Sequence, residues 1–496
     1  MTHDKDQPFI DFTMADAAQA FRDGSATSTQ LVLACLERIN AGKALNAFVT
    51  VDAEGALKAA AAIDKARQTG FPLGPLAGIP IVVKDNIHSA GIRCTAGSPA
   101  FADFVPVADA PTLRKLRDAG AIVLGKTNMH ELAYGATGYN GAFNTGAGRG
   151  VRNAYDQTRI AGGSSSGSAA ALGARMALGA LGTDTGGSMR IPPALNGVAS
   201  LRPTWGRYSG LGVIPIARSR DTVGPMALNM HDVALLDGVI SDEYALPHVE
   251  LKKLRLGVPT EFWANLDLDT REVANAVVTR LTQLGVTFID LGKTGLMELN
   301  DAVGFQAVVG ESRSSMEQYL KDNDHRMTVE KLARKIDSPD VKWIYENWVL
   351  PNKFPNAAGE LVDVAPMYEQ AQKAGGGRDR LRARYAELFS GHQLDALMFP
   401  TTACVAPDAG DSIYEEENFR RLIQNTEPMA SAGLPGLNLP AGLGSQTGLP
   451  VGMELDGPRG SDRRLLAIGI SLESVLGCIA APGKGLYVAS ARIEQR

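Results

Sequence analysis

Cysteine is scarce in this sequence, with four residues in a chain of 496. They are far apart and form no CxxC pair and no Cys/His spacing of the kind that holds structural zinc, so we expect no metal centre. Four free thiols are the expected state in a reducing cytoplasm. The cysteines are Cys35, Cys94, Cys404 and Cys478.

Long apolar runs and an excess of basic charge are also missing. No stretch approaches about eighteen uninterrupted apolar residues, and the N-terminal segment lacks the basic and apolar regions of a signal peptide, so we expect a cytoplasmic protein without a membrane span. The formal net charge is −5, and no basic run suggests nucleic-acid or membrane binding. With 45% hydrophobic and 21% charged residues the composition is globular, and we expect a small-molecule ligand.

Histidine is absent where a serine hydrolase would ordinarily carry it. Residues 161–192, AGGSSSGSAAALGARMALGALGTDTGGSMRIP, are rich in serine and glycine, and the nearest histidine in the sequence is His130. A nucleophilic serine in this segment would therefore need a different base.

Alternating helix and strand patterns predict an α/β fold. Residues 1–70 read as helices, with capping residues at their starts and glycines at their ends. Short β-branched runs at 78–87 and near the end of 109–131 read as buried strands, and an Ala-rich helix from about residue 168 leads into a strand or turn. We therefore predict a mixed, mostly parallel twisted sheet covered by helices on both faces.

The C-terminal half is less regular. Two runs, 254–263 and 286–291, bracket a helical segment and predict a βαβ-like unit that extends the same sheet. The other predicted features are a mainly helical region at 300–390, buried strands at 394–403 and 449–457, and a turn-rich stretch at 431–443. We predict one domain over residues 1–496, made of N-terminal helices (1–70), a core (71–230) and a C-terminal part that completes the sheet and the substrate pocket (231–496).

Three short patterns suggest chemistries that their context argues against. GAIVLGKT, residues 120–127, matches the phosphate-binding loop G-x4-G-K-[ST], but its middle residues read as a strand that follows a helix, the reverse of the required order. HELAY at His130 lacks the second histidine of a zinc site, because Tyr134 stands in that position. GSSSG centres on Ser165 and fits G-x-S-x-G, but the preceding YDQTRIAGG is polar and loop-like.

Two other features point to a serine hydrolase without histidine. Lys84 ends the apolar run GIPIVVK, where burial favours a neutral amine that can act as a general base near neutral pH. The alternative is a lysine whose charged end reaches solvent. TDTGGS, residues 183–188, places two glycines before a serine, so successive backbone N–H groups can converge on one centre as an oxyanion hole requires. The alternative there is an ordinary Gly-Gly turn.

Four segments, in order, resemble the amidase signature family of serine hydrolases: GPLAGIPIVVKDNI, LGKTNMHELAYG, RIAGGSSSGSAAA and LGTDTGGSMRIPPALNG. The core resemblance spans residues 70–230, and weaker similarity covers most of the chain. The resemblance implies a mixed sheet surrounded by helices and a Ser-cisSer-Lys triad, with Lys84 as base, Ser164 as relay after a cis peptide, and Ser188 as nucleophile. Ala161 departs from the proline that many members carry there.

The resemblance also implies roles for the neighbouring residues, and it implies no cofactor. Lys84 would accept a proton from Ser164, which takes one from the attacking Ser188. The implied oxyanion-hole donors are the backbone N–H groups of Thr185, Gly186, Gly187 and Ser188. The supporting residues are Ser165, Thr183, Asp184 and Arg190, the last as an ion-pair partner rather than a substrate clamp.

Similarity inside the family indicates the substrate. NMHELAYG, GLPVGMELDG and SDRRLLAIG are most similar to the indoleacetamide and mandelamide hydrolase branch, which implies a small, aryl-bearing amide. The alternatives are an aryl-acylamidase, an esterase or a carbamate hydrolase with the same triad, or a non-catalytic or amidotransferase-type subunit. We expect a monomer or a homodimer. The candidate pocket residues, each with a core position as its alternative, are Met129, Tyr134, Thr137, Tyr139, Ile214, Phe305 and Met429.

Overall fold

The computed structural model of the protein describes residues 9–144, 149–410 and 416–483. An eleven-stranded sheet forms its centre and combines strands from the N-terminal and C-terminal parts of the chain. The strands are β1 (Phe48–Val51), β2 (Pro80–Lys84), β3 (Ile122–Thr127), β4 (Gly179–Asp184), β5 (Ala199–Arg202), β6 (Thr222–Ala227), β7 (Arg255–Val258), β8 (Thr287–Asp290), β9 (Lys353–Pro355), β10 (Leu361–Asp363), β11 (Ala396–Pro400), β12 (Gly436–Leu443) and β13 (Pro450–Asp456).

Helices precede, separate and follow the strands. They are α1 (Met14–Asp23), α2 (Ser28–Ala41), α3 (Ala53–Gln68), α4 (Pro111–Asp118), α5 (Ser166–Gly173), α6 (Ile191–Asn196), α7 (Met230–Ser241), α8 (Leu268–Gln283), α9 (Leu296–Asp301), α10 (Phe305–Asp322), α11 (Val329–Arg334), α12 (Pro339–Ile344), α13 (Ala365–Gln372), α14 (Gly377–Gly391), α15 (Glu416–Ile423), α16 (Glu427–Ala432) and α17 (Asp462–Leu476). Within the described ranges, none of these helices has the length and apolar character needed to cross a bilayer.

The sheet is mixed, as predicted, with the strand order β1-β3-β2-β4-β6-β5-β12-β13-β11-β7-β8. β2 runs parallel to β3 and β4, and β7 runs parallel to β8 and β11. The intervening pairs from β4 to β11 are antiparallel, as are β1 and β3. Because the carboxyl ends of parallel strands meet at one edge, the ends of β2, β3 and β4 lie together there.

Helices cover both faces of the sheet, which the alternation along β2 shows. Ile81 and Val83 pack into one core cluster with residues of α1, α4 and α7. Val82, between them, packs into a second cluster with residues of α2, α3 and α5. Successive strand side chains point to opposite faces, so Lys84 shares the face of Val82 and is directed towards α5.

Three elements differ from the sequence predictions. The N-terminal region predicted as helices also contains β1, a four-residue edge strand too short to show a periodic pattern. The turn-rich stretch 431–443 contains β12, whose register shifts beyond Pro440, so the strand accommodates its proline and glycines at an irregularity. The helical region 300–390 also contains the small β9–β10 hairpin. The βαβ-like unit of β7, α8 and β8 is confirmed.

Candidate active site

Lys84 is a completely buried lysine at the carboxyl end of β2. Its Nζ atom lies 2.7 Å from Ser164 Oγ and 2.8 Å from Thr183 Oγ1. Burial lowers the pKa of Lys84 from its ordinary value to about 7, an effect that the negative charges of Asp184 and Asp221 partly offset. Near neutral pH the amine is therefore available in its neutral, proton-accepting form.

Asn86 is a residue of this cluster that sequence reasoning missed. Its Nδ2 atom donates to Thr183 Oγ1 at 3.1 Å and to the Ile214 carbonyl at 3.3 Å. Thr183 Oγ1 thus receives hydrogen bonds from both Asn86 and Lys84, which orients the lysine amine beside Ser164. The only sequence signal was its position two residues beyond Lys84, and the pattern VKDN alone does not separate it from an ordinary strand-end asparagine.

Ser164 and Ser165 lie in the loop that leads into α5, and both are buried. The Gly163–Ser164 peptide bond is cis, as the family resemblance implies. The Ser164 carbonyl accepts a hydrogen bond from the His130 amide at 3.2 Å. Ser165 Oγ donates to the Thr183 carbonyl at 3.1 Å. Ser165 therefore ties its loop to β4, and of the two serines Ser164 is the one that contacts the lysine.

Ser188 follows β4, and its loop is held by Asp184. The Asp184 carboxylate accepts hydrogen bonds from the amides of Gly187 (2.9 Å) and Met189 (3.1 Å). Gly187 has a φ of +141°, and a Cβ atom there would lie 2.1 Å from Thr426 Oγ1, so only glycine fits. Ser188 itself is half-buried, in contrast to the fully enclosed Lys84.

The fixed loop alters the predicted oxyanion hole. Because the Gly187 N–H already donates to the Asp184 carboxylate, it is committed to holding the loop in this structure rather than to a substrate oxygen. The amides of Thr185, Gly186 and Ser188 have no such hydrogen bond within the described residues. Three of the four predicted donors thus remain available.

Buried arginines neutralise Asp184 beneath this loop. Arg190 Nε lies 3.0 Å and Arg202 Nη1 2.7 Å from the Asp184 carboxylate, and Arg190 also forms an ion pair with Glu454. Burial alone would raise the pKa of Asp184, but the two arginines outweigh it and hold that pKa well below its usual range. Arg190 is fully buried in this network, as expected of an ion-pair partner and not of a substrate clamp.

Ser188 lines a cavity with apolar and aromatic walls. Thr185, Gly186 and Gly187 lie beside it, and Tyr134 and Phe305 contribute rings to the wall. A second cavity shares Tyr134 and Phe305 with the first and extends along further rings. The wall residues that sequence reasoning missed include Ile191, Ile216, Arg220, Val308, Trp343, Trp348, Phe354, Phe419, Ile423 and Glu427. Four of them, Val308, Trp343, Trp348 and Phe354, come from the region 300–390 that the sequence identified only as mainly helical.

The aromatic wall is a connected set of rings. Phe305 meets Trp348 with ring centres 5.8 Å apart and Phe354 with ring centres 6.2 Å apart. Trp348 and Phe354 are 5.1 Å apart in a T-shaped arrangement. Such a wall suits a planar aryl group.

The comparisons with known proteins agree with this geometry. A family model described as "Amidase" matches residues 30–466. The chain belongs to the amidase signature family. As a member of that family, the protein is a hydrolase that acts on amide C–N bonds.

Two relatives and one solved structure illustrate how far the similarity extends. This amidase is 43% identical to the mandelamide hydrolase of Pseudomonas putida over 467 residues. The aligned region covers 94% of this chain and 92% of that protein. The chain is 37% identical over 479 residues to the indoleacetamide hydrolase of Agrobacterium vitis, covering 95% and 98%. A crystal structure of an amidase superposes with a TM-score of 0.79 at 31% identity, covering 94% of this chain and 100% of that chain.

The amidase uses only some of the predicted pocket residues as cavity wall. Tyr134 and Phe305 line both cavities, and Thr137 lines the second cavity. The other four are buried in hydrophobic clusters and are not among the residues that line these two cavities. They are Met129 and Ile214 in one cluster, Met429 in a second, and Tyr139 in a third. Proximity to a motif in sequence did not reveal which face of the loop each side chain occupies.

Proposed function

We propose that this amidase hydrolyses small, aryl-bearing amides through an acyl-enzyme on Ser188. The observation that carries the proposal is the enclosed contact of 2.7 Å between Lys84 Nζ and Ser164 Oγ, beside a loop whose serine lines an aromatic cavity. A buried lysine with a pKa of about 7 supplies the base that the missing histidine would otherwise provide.

The first half of the reaction forms the acyl-enzyme. Neutral Lys84 accepts the Ser164 hydroxyl proton while Ser164 accepts the Ser188 proton, and Ser188 Oγ attacks the amide carbon. The resulting tetrahedral oxyanion takes hydrogen bonds from free amides of the 185–188 loop, each worth about 3 kcal/mol. The C–N bond then breaks as the proton returns through Ser164 to the leaving nitrogen, which departs as ammonia or an amine.

The second half releases the acid. Water loses a proton to the same Ser164–Lys84 relay and attacks the ester carbon of the acyl-enzyme. The second tetrahedral intermediate collapses with cleavage of the Ser188 ester bond, and the relay returns the proton to Ser188 Oγ. Lys84 ends neutral, so the cycle consumes one water and leaves the enzyme unchanged.

The aryl preference rests on the rings around the cavity and on the relatives. Tyr134, Phe305 and Trp348 offer flat apolar surfaces on the approach to Ser188. The similar proteins named for mandelamide and indoleacetamide hydrolysis suggest primary amides of arylacetic acids. We further propose that the protein works in the cytoplasm as a monomer or a homodimer. In that compartment its four free thiols would stay reduced, those of Cys35, Cys94, Cys404 and Cys478.

A covalent probe tests this mechanism. A fluorophosphonate should label the wild-type protein at Ser188, as mapped by mass spectrometry of the digested protein. Ser188→Ala should lose the label and at least about 10⁴-fold in phenylacetamide turnover. Ser209→Ala, which removes an exposed serine, should keep both. Label at Ser165, or none on folded protein, would overturn the proposal.

A substrate panel distinguishes this function from its alternatives. We expect ammonia release from phenylacetamide, 2-hydroxy-2-phenylacetamide and indoleacetamide to exceed cleavage of anilides, aryl esters and carbamates. Faster cleavage of an anilide, an aryl ester or a carbamate would change the proposed leaving group but would still be consistent with an acyl-enzyme on Ser188. If the protein is labelled at Ser188 but hydrolyses none of the compounds in the panel, that result would instead support an amidotransferase-type subunit.

A further inference from the structure

The wall of the Ser188 cavity contains an oppositely charged pair, the buried Arg220 and the half-buried Glu427. The Arg220 side chain is 1% exposed and that of Glu427 is 17% exposed. Arg220 Nη2 and Glu427 Oε1 are 3.6 Å apart, which is too far for a hydrogen bond. The pair is the charged feature of a wall that is otherwise mostly apolar.

Each partner is fixed in place by its other atoms. Arg220 Nε donates to the Thr185 carbonyl at 3.2 Å, and Nη1 donates to the Gly304 carbonyl at 2.8 Å. Glu427 Oε2 accepts from Asn300 Nδ2 at 3.0 Å. Arg220 Nη2 is buried without a hydrogen-bond partner in the described residues. A donor buried in this way costs free energy until something accepts from it.

The ends of the two side chains that face each other lie next to the 185–188 loop. A Cβ atom built on Gly186 would be 3.8 Å from Arg220 Nη2 and 3.8 Å from Glu427 Cγ. The amide of Gly186 is one of the proposed hydrogen-bond donors to the substrate oxygen. Ser188, Gly186, Arg220 and Glu427 line one cavity, so a substrate whose carbonyl carbon lies at Ser188 can direct a substituent of the adjacent carbon towards the pair.

We propose that Arg220 and Glu427 bind a hydroxyl group on the carbon adjacent to the scissile carbonyl, which makes 2-hydroxy-2-arylacetamides the preferred substrates. Arg220 Nη2 donates to the hydroxyl oxygen, and the hydroxyl proton is donated to Glu427 Oε1. A hydroxyl group both accepts and donates, so it satisfies the two sides at once, whereas a methylene satisfies neither and a carbonyl satisfies one. This inference rests on the proposed function, because it assumes that the amide carbon sits at Ser188.

Charge argues against an anionic substituent at this position. A carboxylate would gain a hydrogen bond from Arg220 but would face the negative charge of Glu427 in a poorly solvated wall. The pair as a whole is neutral, and a neutral group with one donor and one acceptor matches it best. The surrounding apolar wall, formed by Ile216, Val308 and Phe419 among others, offers such a hydroxyl no comparable partner.

The test compares two substrates that differ only by the hydroxyl: 2-hydroxy-2-phenylacetamide and phenylacetamide. Because they share the ring and the leaving group, the ratio of their kcat/KM values isolates recognition of the hydroxyl. The wild type should prefer the hydroxy substrate by at least roughly tenfold, the scale of a hydrogen bond to a charged group. Glu427→Gln and Arg220→Lys should each bring the ratio close to one.

A matched control removes a nearby carboxylate that is not part of the wall. Glu311 is half-buried and accepts hydrogen bonds from the amide and hydroxyl of Ser219, next to Arg220. Glu311→Gln should keep the wild-type ratio, which excludes a general effect of lost negative charge. Circular dichroism checks the fold of each variant.

The outcomes separate the inference from the function on which it rests. A wild-type ratio near one overturns the inference without recourse to any variant. An unchanged ratio in Glu427→Gln, with both amides hydrolysed, also overturns it and leaves the proposed function standing. If neither amide is hydrolysed and Ser188 is not labelled, the proposed function itself is overturned.

Discussion

Lys84 Nζ lies 2.7 Å from Ser164 Oγ, although the two residues are 80 positions apart in the chain. Both side chains are fully buried, and no histidine takes part in the contact. β2 delivers the lysine and the loop before α5 delivers the serine, and α5 leads into β4, which pairs in parallel with β2. The contact between Lys84 and Ser164 is the basis of the proposal that lysine, in place of histidine, serves as the base.

Replacing the base should abolish turnover without unfolding the protein. Lys84→Ala removes the only amine that contacts Ser164 among the described residues, and a positioned general base contributes about 10²–10⁴-fold. We therefore expect kcat for phenylacetamide to fall about 10²–10⁴-fold, with an unchanged circular dichroism spectrum. Lys115→Ala, which removes a half-exposed lysine elsewhere, is the matched control. Wild-type rates in Lys84→Ala would remove lysine from the mechanism.

Activity should decline at acid pH because the proposed mechanism requires Lys84 as the neutral amine. With its pKa lowered to about 7, kcat/KM should fall about tenfold per pH unit well below that value. The negative charge of Asp221 raises the pKa of Lys84, so Asp221→Asn should move the acid limb to lower pH. The measurement is kcat/KM from pH 5 to 9. A flat profile below neutrality, or a limb displaced upward in Asp221→Asn, would contradict a lysine base.

The aromatic wall should select aryl substrates. Trp348→Ala removes a half-buried ring that contacts Phe305 and Phe354, so kcat/KM for phenylacetamide should drop roughly tenfold relative to propionamide, which has no ring to lose. Trp205→Ala also removes a half-buried tryptophan, but one that lines neither cavity. Equal losses for both amides in Trp348→Ala would argue against a binding role for the ring.

Arg190 should act on stability rather than on substrate binding. Arg190→Met leaves the buried carboxylates of Asp184 and Glu454 undercompensated, which costs about 3–5 kcal/mol when one partner of a buried ion pair is removed. The midpoint of thermal unfolding should fall accordingly. Arg459→Met, at an exposed position, should change stability by less than about 0.5 kcal/mol. A raised KM with an unchanged midpoint would instead identify Arg190 as a substrate clamp.

The elements that carry the proposed catalytic residues are marked by local patterns in the sequence. The apolar run before Lys84, the paired glycines before Ser188 and the Ala-rich helix after Ser165 are local patterns, and each has its counterpart in β2, the β4–α6 loop and α5. The sequence was less informative where strands were short or interrupted. β1 has four residues and β12 contains proline and glycines, so tertiary pairing overrode weak local preference in both.

The sequence by itself determined which residue types are present for catalysis and the order in which they occur: a lysine after a buried strand, a serine after two glycines, and a second serine after two more. Only the tertiary structure decided which groups meet. In the structure the Gly187 amide donates to Asp184, and Arg220 and Glu427 lie together beside Gly186. Four predicted pocket residues lie in the core instead: Met129, Tyr139, Ile214 and Met429. The reason is physical: composition and periodicity constrain neighbours along the chain, whereas a hydrogen bond or a cavity wall depends on contacts between distant segments.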